Sequence, residues 1–421
     1  MTMTGVCDLK QSVCQTEAPG CLACAEGAPV EFLNLGRTAL ANNLPRRTGD
    51  WQPEFPLRAG LCERCGHVQL LDIVPPEAMF TEYLYVSSAS STLSAHFVEL
   101  AAEAHARAGL SARSLAVDIG SNDGSLLAAL AALGTRTCGV DPAANLAALA
   151  QARGVETEIA YFDADTARRL NARAGLARLI TATNSFPHIP RLDPYLEGVR
   201  LLLEPGGMFV VEAHYAGDMV EQNAFDTIYH EHVSYWALAP LERLLARHSL
   251  QVFDVARLPI HHGQLRVWIG HSGAHAVSPR VAALRSEEER AGLANLKTYQ
   301  DFARRVERLR DDIRGEIVRL AASGLTIAGY GAPAKASTLL AYCGLGPEPV
   351  RWIADRNPLK QGRFTPGTGI PIVSPARIDA GRPDVLILFA WNFAEEIMAQ
   401  LADYRLAGGR FLIPVPQVRL V

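Results

Sequence analysis

Residues 225–236, FDTIYHEHVSYW, place Tyr229, His230, Glu231, His232 and Tyr235 within seven positions, just after the strand-like run MFVVEAH. On an extended chain, alternation would put Tyr229 and Glu231 on one side and His230 and His232 on the other. So dense a supply of proton donors and acceptors suits an acid–base site, a metal site or a hydrogen-bonded turn. Histidine, with an ordinary pKa of ~6.5, is a natural neutral base at cellular pH. A metal held by His230 and His232 would need further ligands from elsewhere in the chain.

A second group of reactive side chains is clearer. Cys21-Leu-Ala-Cys24 and Cys62-Glu-Arg-Cys65 are two CxxC pairs, the latter followed by Gly66. Each pair forms a tight knuckle that aims two thiolates at one point, and two knuckles complete a tetrahedral zinc site. The 37 residues between them are long for a zinc ribbon, but read as strands and turns (PVEFLNLG, PLRAGLC, HVQLLDIV). With all four positions filled by sulfur, the metal is expected to be structural. Cys7 and Cys14 lie in a polar leader without an obvious partner, and Cys138 and Cys343 read as small core residues.

The elements that must position these groups fall into three parts. A chain of 421 residues exceeds one core. The expected divisions are 1–81, leader and zinc-binding domain; 82–272, an α/β domain; and 273–421, a second, Rossmann-like α/β domain. STLSAHFVELAAEAHARAGL has helical periodicity, and SLAVDIGSNDGSLLAALAAL reads as strand, glycine turn and helix. RTCGVD, LARLITATN and GGMFVVEAH follow as strands, and QVFDVARLP with GQLRVWIGH suggests an antiparallel hairpin at one edge. A helical stretch over 287–320 leads to LTIAGYGAPAKASTLLAY, again strand, turn and helix. Alternating strands and helices predict parallel sheets, with ligands at the carboxyl ends of the strands. The 40 basic and 44 acidic residues are interspersed, for a net charge of −4. No basic arm argues for nucleic acid or a membrane surface, and no run of about 18 apolar residues occurs. A cytoplasmic enzyme acting on a small molecule is the expectation, with the oligomeric state left open.

Which cofactor each glycine turn serves follows from its charge. Asp118-Ile119-Gly120-Ser121-Asn122-Asp123-Gly124 lacks the GxGxxG spacing that presses a helix N-terminus onto pyrophosphate. Its D-x-G-x-x-x-G form resembles motif I of class I methyltransferases. An acidic turn suits the sulfonium and amino group of S-adenosylmethionine better than it suits phosphate. Asp141 would accept hydrogen bonds from the ribose hydroxyls, and Asn184 lies beside the same crevice; Ser87 joins the expected cofactor set. The second turn, Gly329-Tyr330-Gly331-Ala332-Pro333-Ala334-Lys335, is nearer a dinucleotide form, with Asp355 ending the next strand. It equally suits amides and a lysine meeting substrate phosphates.

Taken in order, LGRTALANN, CERCGHVQL, EYLYVSSAS, DIGSNDGSLL, NSFPHI, YHEHVSYW, GYGAPAK and DRNPLKQGRFTPGTGIPI span nearly the whole chain after the leader. Together they resemble the deoxysugar C-methyltransferases, which methylate carbon 3 of nucleotide-linked 4-keto sugars in antibiotic sugar pathways. The resemblance implies a structural zinc domain, a central S-adenosylmethionine domain and a C-terminal Rossmann-like domain without NAD, with the sugar nucleotide between the last two. It also implies that Tyr83, His188, Tyr229, Glu231 and His232 lie at the sugar, with His232 as general base; Glu231 would orient a histidine or bind a substrate amine or hydroxyl, and His230, the weaker candidate, reads as structure. His261, Gly329, Tyr330, Gly331, Lys335 and Arg363 are the expected substrate-binding residues. One departure bears on the substrate: the family's histidine-glycine-glycine-serine reads His261-His262-Gly263-Gln264 here. That leaves room for a same-fold enzyme acting on another enolisable metabolite. A zinc-dependent RNA modifier lacks the basic and aromatic cluster it would need, and a nicotinamide oxidoreductase rests on the second turn alone.

Overall fold

The computed structural model describes residues 20–81, 83–260 and 263–421. Cys7, Cys14, His261 and His262 lie outside the described residues. Among the described residues, three sheets organise the fold.

The first is antiparallel, in the order β1 (Val30–Ala39), β2 (Glu54–Leu61), β3 (Val68–Leu70) and β9 (Ser234–Tyr235). Leu57, Ala59 and Leu61 alternate into its buried face. Its last strand comes from far along the chain: Val68 lies opposite Tyr235 and Gln69 opposite Ser234. Phe32 of β1 packs against Tyr299 and Phe302, with ring centroids 5.0 and 6.5 Å apart.

The second sheet runs β10 (Leu250–Leu258), β11 (Gln264–His271), β8 (Leu203–His214), β7 (Ala177–Thr183), β4 (Leu115–Ile119), β5 (Arg136–Val140) and β6 (Thr157–Glu158). The strands from β8 to β6 are parallel, and β10 with β11 forms the expected antiparallel edge. Every residue of β4 is buried, which is why it reads as an unbroken apolar run. The helix Ser91–Ala108, capped by the Ser90 side chain and ended by left-handed Gly109, covers one face. Under it, Leu93, Phe97 and Leu100 meet Phe253 and Trp268 in a satellite core.

The third sheet runs β14 (Ile372–Val373), β13 (Ile353–Ala354), β12 (Ile327–Tyr330), β15 (Val385–Leu388), β16 (Arg410–Ile413) and β17 (Arg419–Leu420), parallel except for β17. Both α/β sheets therefore reverse direction beside their first strand, at β4/β7 and β12/β15. A crevice opens at the carboxyl edge of such a reversal.

One local expectation is corrected, and one conformation the sequence left open is defined. The single helical stretch over 287–320 is two helices, Pro279–Ala291 and Leu296–Ala322, because Gly292 (φ 65°) ends the first in the left-handed conformation. The HEH segment is not an extended strand. A 3-10 turn at Phe225–Thr227 leads into a loop closed by His232 N–H donating to the Tyr229 carbonyl at 2.9 Å. That turn brings Tyr229 and His232 together and sends His230 and Glu231 elsewhere.

Candidate functional site

The four cysteines of the two knuckles converge, all Sγ atoms lying within 4.8 Å of one another. Cys21 and Cys65 are 3.4 Å apart and Cys24 and Cys62 3.7 Å. A tetrahedron with zinc–sulfur bonds of ~2.3 Å has edges of about 3.8 Å, so the set fits zinc. Main-chain bonds from Ala25 N to Cys21 O and from Gly66 N to Cys62 O, both 2.8 Å, bend the knuckles. Four sulfur ligands leave no place for a substrate.

A cleft of about 850 Å³ lies between the carboxyl edges of the two α/β sheets. On the β4 side it is lined by Ser87, Gly120, Asn122, Asp141 and Asn184. Gly120 adopts φ 77°, and a Cβ there would come within 2.4 Å of Ser185. The left-handed Asn122 (φ 51°) donates its amide N–H to Asp141 at 2.9 Å, and its side-chain oxygen accepts from Ser87 N at 3.0 Å. Asp141 also accepts from Ala143 N at 2.9 Å, and burial raises its pKa. These residues offer an acidic, amide-rich rim suited to a ribose and an amino acid. Asp118, Ser121 and Gly124 lie beneath the rim and not on it. Asp118 is buried, accepts a 2.6 Å bond from Thr181 Oγ1 and braces β4 to β7; burial pushes its pKa up to about 7. Ser121 is buried, and Gly124 (φ 74°) lets the turn pack on Ala150 and Val155.

The HEH loop forms the floor. His232 Nδ1 lies 2.8 Å from the Thr227 carbonyl, which can only accept, so Nδ1 carries the hydrogen. The other nitrogen, Nε2, accepts from Tyr229 Oη at 2.8 Å. The Thr227 carbonyl thereby fixes the orientation of the His232 ring, with Nε2 turned toward Tyr229. His188 stacks between Phe80 (5.3 Å, 13°) and His232 (5.2 Å, 22°), and His214 approaches His232 from the end of β8, at 4.8 Å. Burial, with His214 nearby, pushes the pKa of His188 down to about 3, so it stays neutral. Tyr83, His188, Tyr229 and His232 all line the cleft.

Glu231 stands behind that wall, against the expectation that it touches substrate. Its oxygens accept from Asn42 Nδ2 and Tyr83 Oη, each at 2.7 Å, and burial pushes its pKa up to about 6 against those two bonds. His230 points away altogether: its Nε2 donates to the Pro56 carbonyl at 3.1 Å, a structural bond to the zinc-binding sheet.

On the opposite side, Tyr330, Gly331 and Lys335 line the cleft. Lys335 Nζ donates to Asn392 Oδ1 at 2.7 Å and sits 4.1 Å over the Trp391 ring. Burial depresses its pKa while the Asp226 carboxylate works against the shift. Asp355 accepts from Ala332 N at 2.6 Å and Asn357 N at 2.8 Å, repeating the Asp141 arrangement. Two expected substrate residues lie elsewhere. Gly329 is inside β12, where a Cβ would strike Phe389 and Ile353. Arg363 is extended to the carbonyls of Leu359 and Leu44, at 3.0 and 3.3 Å, and ties two domains together. The sequence reading did not single out the cleft residues Asn42, His214, Lys360 and Asn392. Asn42 and Lys360 sit in motifs it quoted, LGRTALANN and DRNPLKQ, and only the fold shows that they share one cavity.

Comparison with known proteins matches residues 21–80 to a zinc binding domain, 94–255 to a methyltransferase domain and 259–416 to a C-methyltransferase C-terminal domain. The chain is 40% identical over 404 residues to the C-methyltransferase NovU of Streptomyces niveus, spanning 95% of this chain and 96% of NovU. Among solved structures, the Burkholderia thailandensis 1,6-didemethyltoxoflavin-N1-methyltransferase, bound to S-adenosylhomocysteine, matches at 21% identity and TM-score 0.32, over 42% of this chain and 79% of its own. An S-adenosylmethionine-dependent methyltransferase from Clostridium acetobutylicum matches at 15% identity and TM-score 0.34, over 42% and 91%. With its four-cysteine zinc site and its S-adenosylmethionine cofactor, the chain belongs to the zinc-binding C-methyltransferase family whose motifs it carries.

Proposed function

We propose that the enzyme methylates carbon 3 of a dTDP-linked 4-keto deoxysugar through an enolate, with His232 as general base. The observation that carries this reading is the chain Thr227 carbonyl, His232, Tyr229 on the cleft floor, which leaves one basic nitrogen on a ring of fixed tautomer. A carbon becomes nucleophilic only when a proton leaves, and a neighbouring ketone makes that proton acidic. His232 Nε2 takes the proton. Tyr229, displaced from Nε2 as the proton arrives, turns its O–H toward the enolate oxygen, where a placed donor stabilises the developing charge. His188, neutral and stacked on His232, holds the ring plane. S-adenosylmethionine supplies the electrophilic methyl group at its sulfonium. The rim at Gly120, Asn122 and Asp141 and the floor at His232 hold the two partners in line, and that alignment replaces much of the activation entropy. Lys335, Tyr330 and the Gly331 turn hold the nucleotide end. The likeness to NovU supports C-methylation as the chemistry.

The test is hydrogen exchange. Incubated in deuterium oxide with S-adenosylhomocysteine, wild-type protein is expected to exchange the carbon-3 hydrogen of a dTDP-4-keto deoxysugar, and His232→Ala is not. Full turnover by His232→Ala would remove the base assignment. A second reading, another enolisable metabolite, draws on Gln264, whose side-chain amide donates to the cleft residue Asn184. Absence of dTDP binding by calorimetry would favour it.

A further inference from the structure

One wall of the cleft comes from the zinc-binding sheet. The loop after β1 carries Asn42 into the cavity, and it is clamped there by the C-terminal domain. Ser337 Oγ donates to the Ala41 carbonyl at 3.1 Å, Arg363 Nη1 to Leu44 O at 3.3 Å and Phe364 N to Pro45 O at 3.0 Å. Held this way, Asn42 Nδ2 meets Glu231 Oε1 at 2.7 Å; the carboxylate accepts only, so the amide nitrogen must be the atom facing it. Tyr83 Oη meets the other oxygen at 2.7 Å, and both Asn42 and Tyr83 line the cleft.

We propose that Asn42 is a positioning residue of the methyl-transfer cleft. Its amide, delivered by the zinc-binding sheet, fixes Glu231 as a carboxylate and, through Glu231, the orientation of the Tyr83 phenol. This rests on the cleft being the site of methyl transfer. With its hydrogen committed to Glu231, Tyr83 turns oxygen lone pairs toward the cavity, where they suit an O–H or N–H on the acceptor. Asn42 presents its remaining amide atoms beside them. The wall is thus built to orient a hydroxyl or amine substituent next to the reacting carbon.

The other charged or titratable groups facing Glu231 are Lys360, whose positive charge also favours the carboxylate, together with Tyr83 and Tyr229. Removing the Asn42 donor leaves Tyr83 and Lys360 against a desolvated carboxylate. Replacing it by aspartate sets a second acid at hydrogen-bond distance, and one of the two must then hold a proton.

The experiment follows Glu231 by carbon-13 carboxyl NMR in protein labelled at glutamate, its signal assigned with Glu231→Gln. Wild type, Asn42→Leu and Asn42→Asp are compared, with zinc content and melting temperature as controls. The expected result is a titration midpoint raised by about one pH unit in Asn42→Leu and further in Asn42→Asp. The acid limb of kcat/KM for methyl transfer should move up in step, with roughly a threefold loss near pH 6.5 in Asn42→Leu that approaches about tenfold below pH 5.5. An unmoved midpoint in both variants overturns the proposal, as does a moved midpoint with unchanged catalysis. A moved midpoint in a protein whose wild type methylates no dTDP-sugar sinks the sugar-nucleotide reading and leaves the Asn42–Glu231 coupling standing.

Discussion

With Nδ1 donating to the Thr227 carbonyl, the His232 ring has one basic atom, and the Tyr229 hydroxyl sits on it at 2.8 Å. His232→Ala is expected to lower kcat by about 10²–10⁴ while S-adenosylhomocysteine affinity, read by calorimetry, stays put. Tyr229→Phe keeps the ring and loses the donor; a fall in kcat on the order of 10² is expected, and an unchanged kcat would remove Tyr229 from the enolate site. His188 carries a pH signature of its own. Its folded pKa is about 3 and its ordinary value 6.5. The unfolded chain therefore takes up this proton first. The stabilisation is complete above about 6.5 and is lost as pH falls from there toward 3, at up to about 1.4 kcal/mol per unit. Urea unfolding of His188→Gln should show a flatter fall between pH 6.5 and 5 than wild type. The reactive residue types and their sequence grouping were legible in the sequence, but their partners were not. Neither alternation nor a helical period gives the sides of the HEH segment, because a single turn bond, His232 N to Tyr229 O, sets them. Glu231 was placed at the sugar by the resemblance alone; its bond to Asn42, 189 positions away, is one that no local pattern reveals.

The two-residue strand β9 follows His232 almost at once and completes the zinc-binding sheet: Leu70 N donates to the Val233 carbonyl at 3.0 Å, and His230 holds the Pro56 carbonyl. The loop that carries His232 is thus hung from the element pinned by the cysteines. Stripping zinc with a chelator, or Cys24→Ser, is expected to lower kcat at least tenfold while S-adenosylmethionine affinity changes by less than about threefold. Parallel losses in both, measured by turnover and calorimetry, would mean that the whole molecule had unfolded instead. Long strands and both glycine turns could be read from apolar runs and turn residues. β9 could not, since two residues carry no period and their partner strand ends at Leu70. The break at Gly292 was missed for a related reason: a single left-handed glycine interrupts a pattern that otherwise stays helical on both sides.

Across the whole molecule, the α/β sheets present their reversal points to one cavity, and each has an aspartate, Asp141 or Asp355, holding the amide of its glycine turn. On the proposed reading, the methyl donor and the nucleotide end of the acceptor are gripped by different sheets, so their sites are expected to be separable. Lys335→Met should weaken dTDP about tenfold or more and leave S-adenosylhomocysteine unaffected. Equal weakening of both ligands by calorimetry would contradict separate grips. The resemblance of the motifs marked the order of the three parts, while the cavity they enclose depends on contacts such as Arg363 to Leu44 that no local pattern encodes. The borrowed strand β9 also bears on biosynthesis. As the chain leaves the ribosome, β3 stands with a bare edge until residue 235 emerges, even if zinc has already been captured. A fragment ending before that point would therefore be prone to edge-to-edge association, and the His232 loop and the metal lobe must mature together.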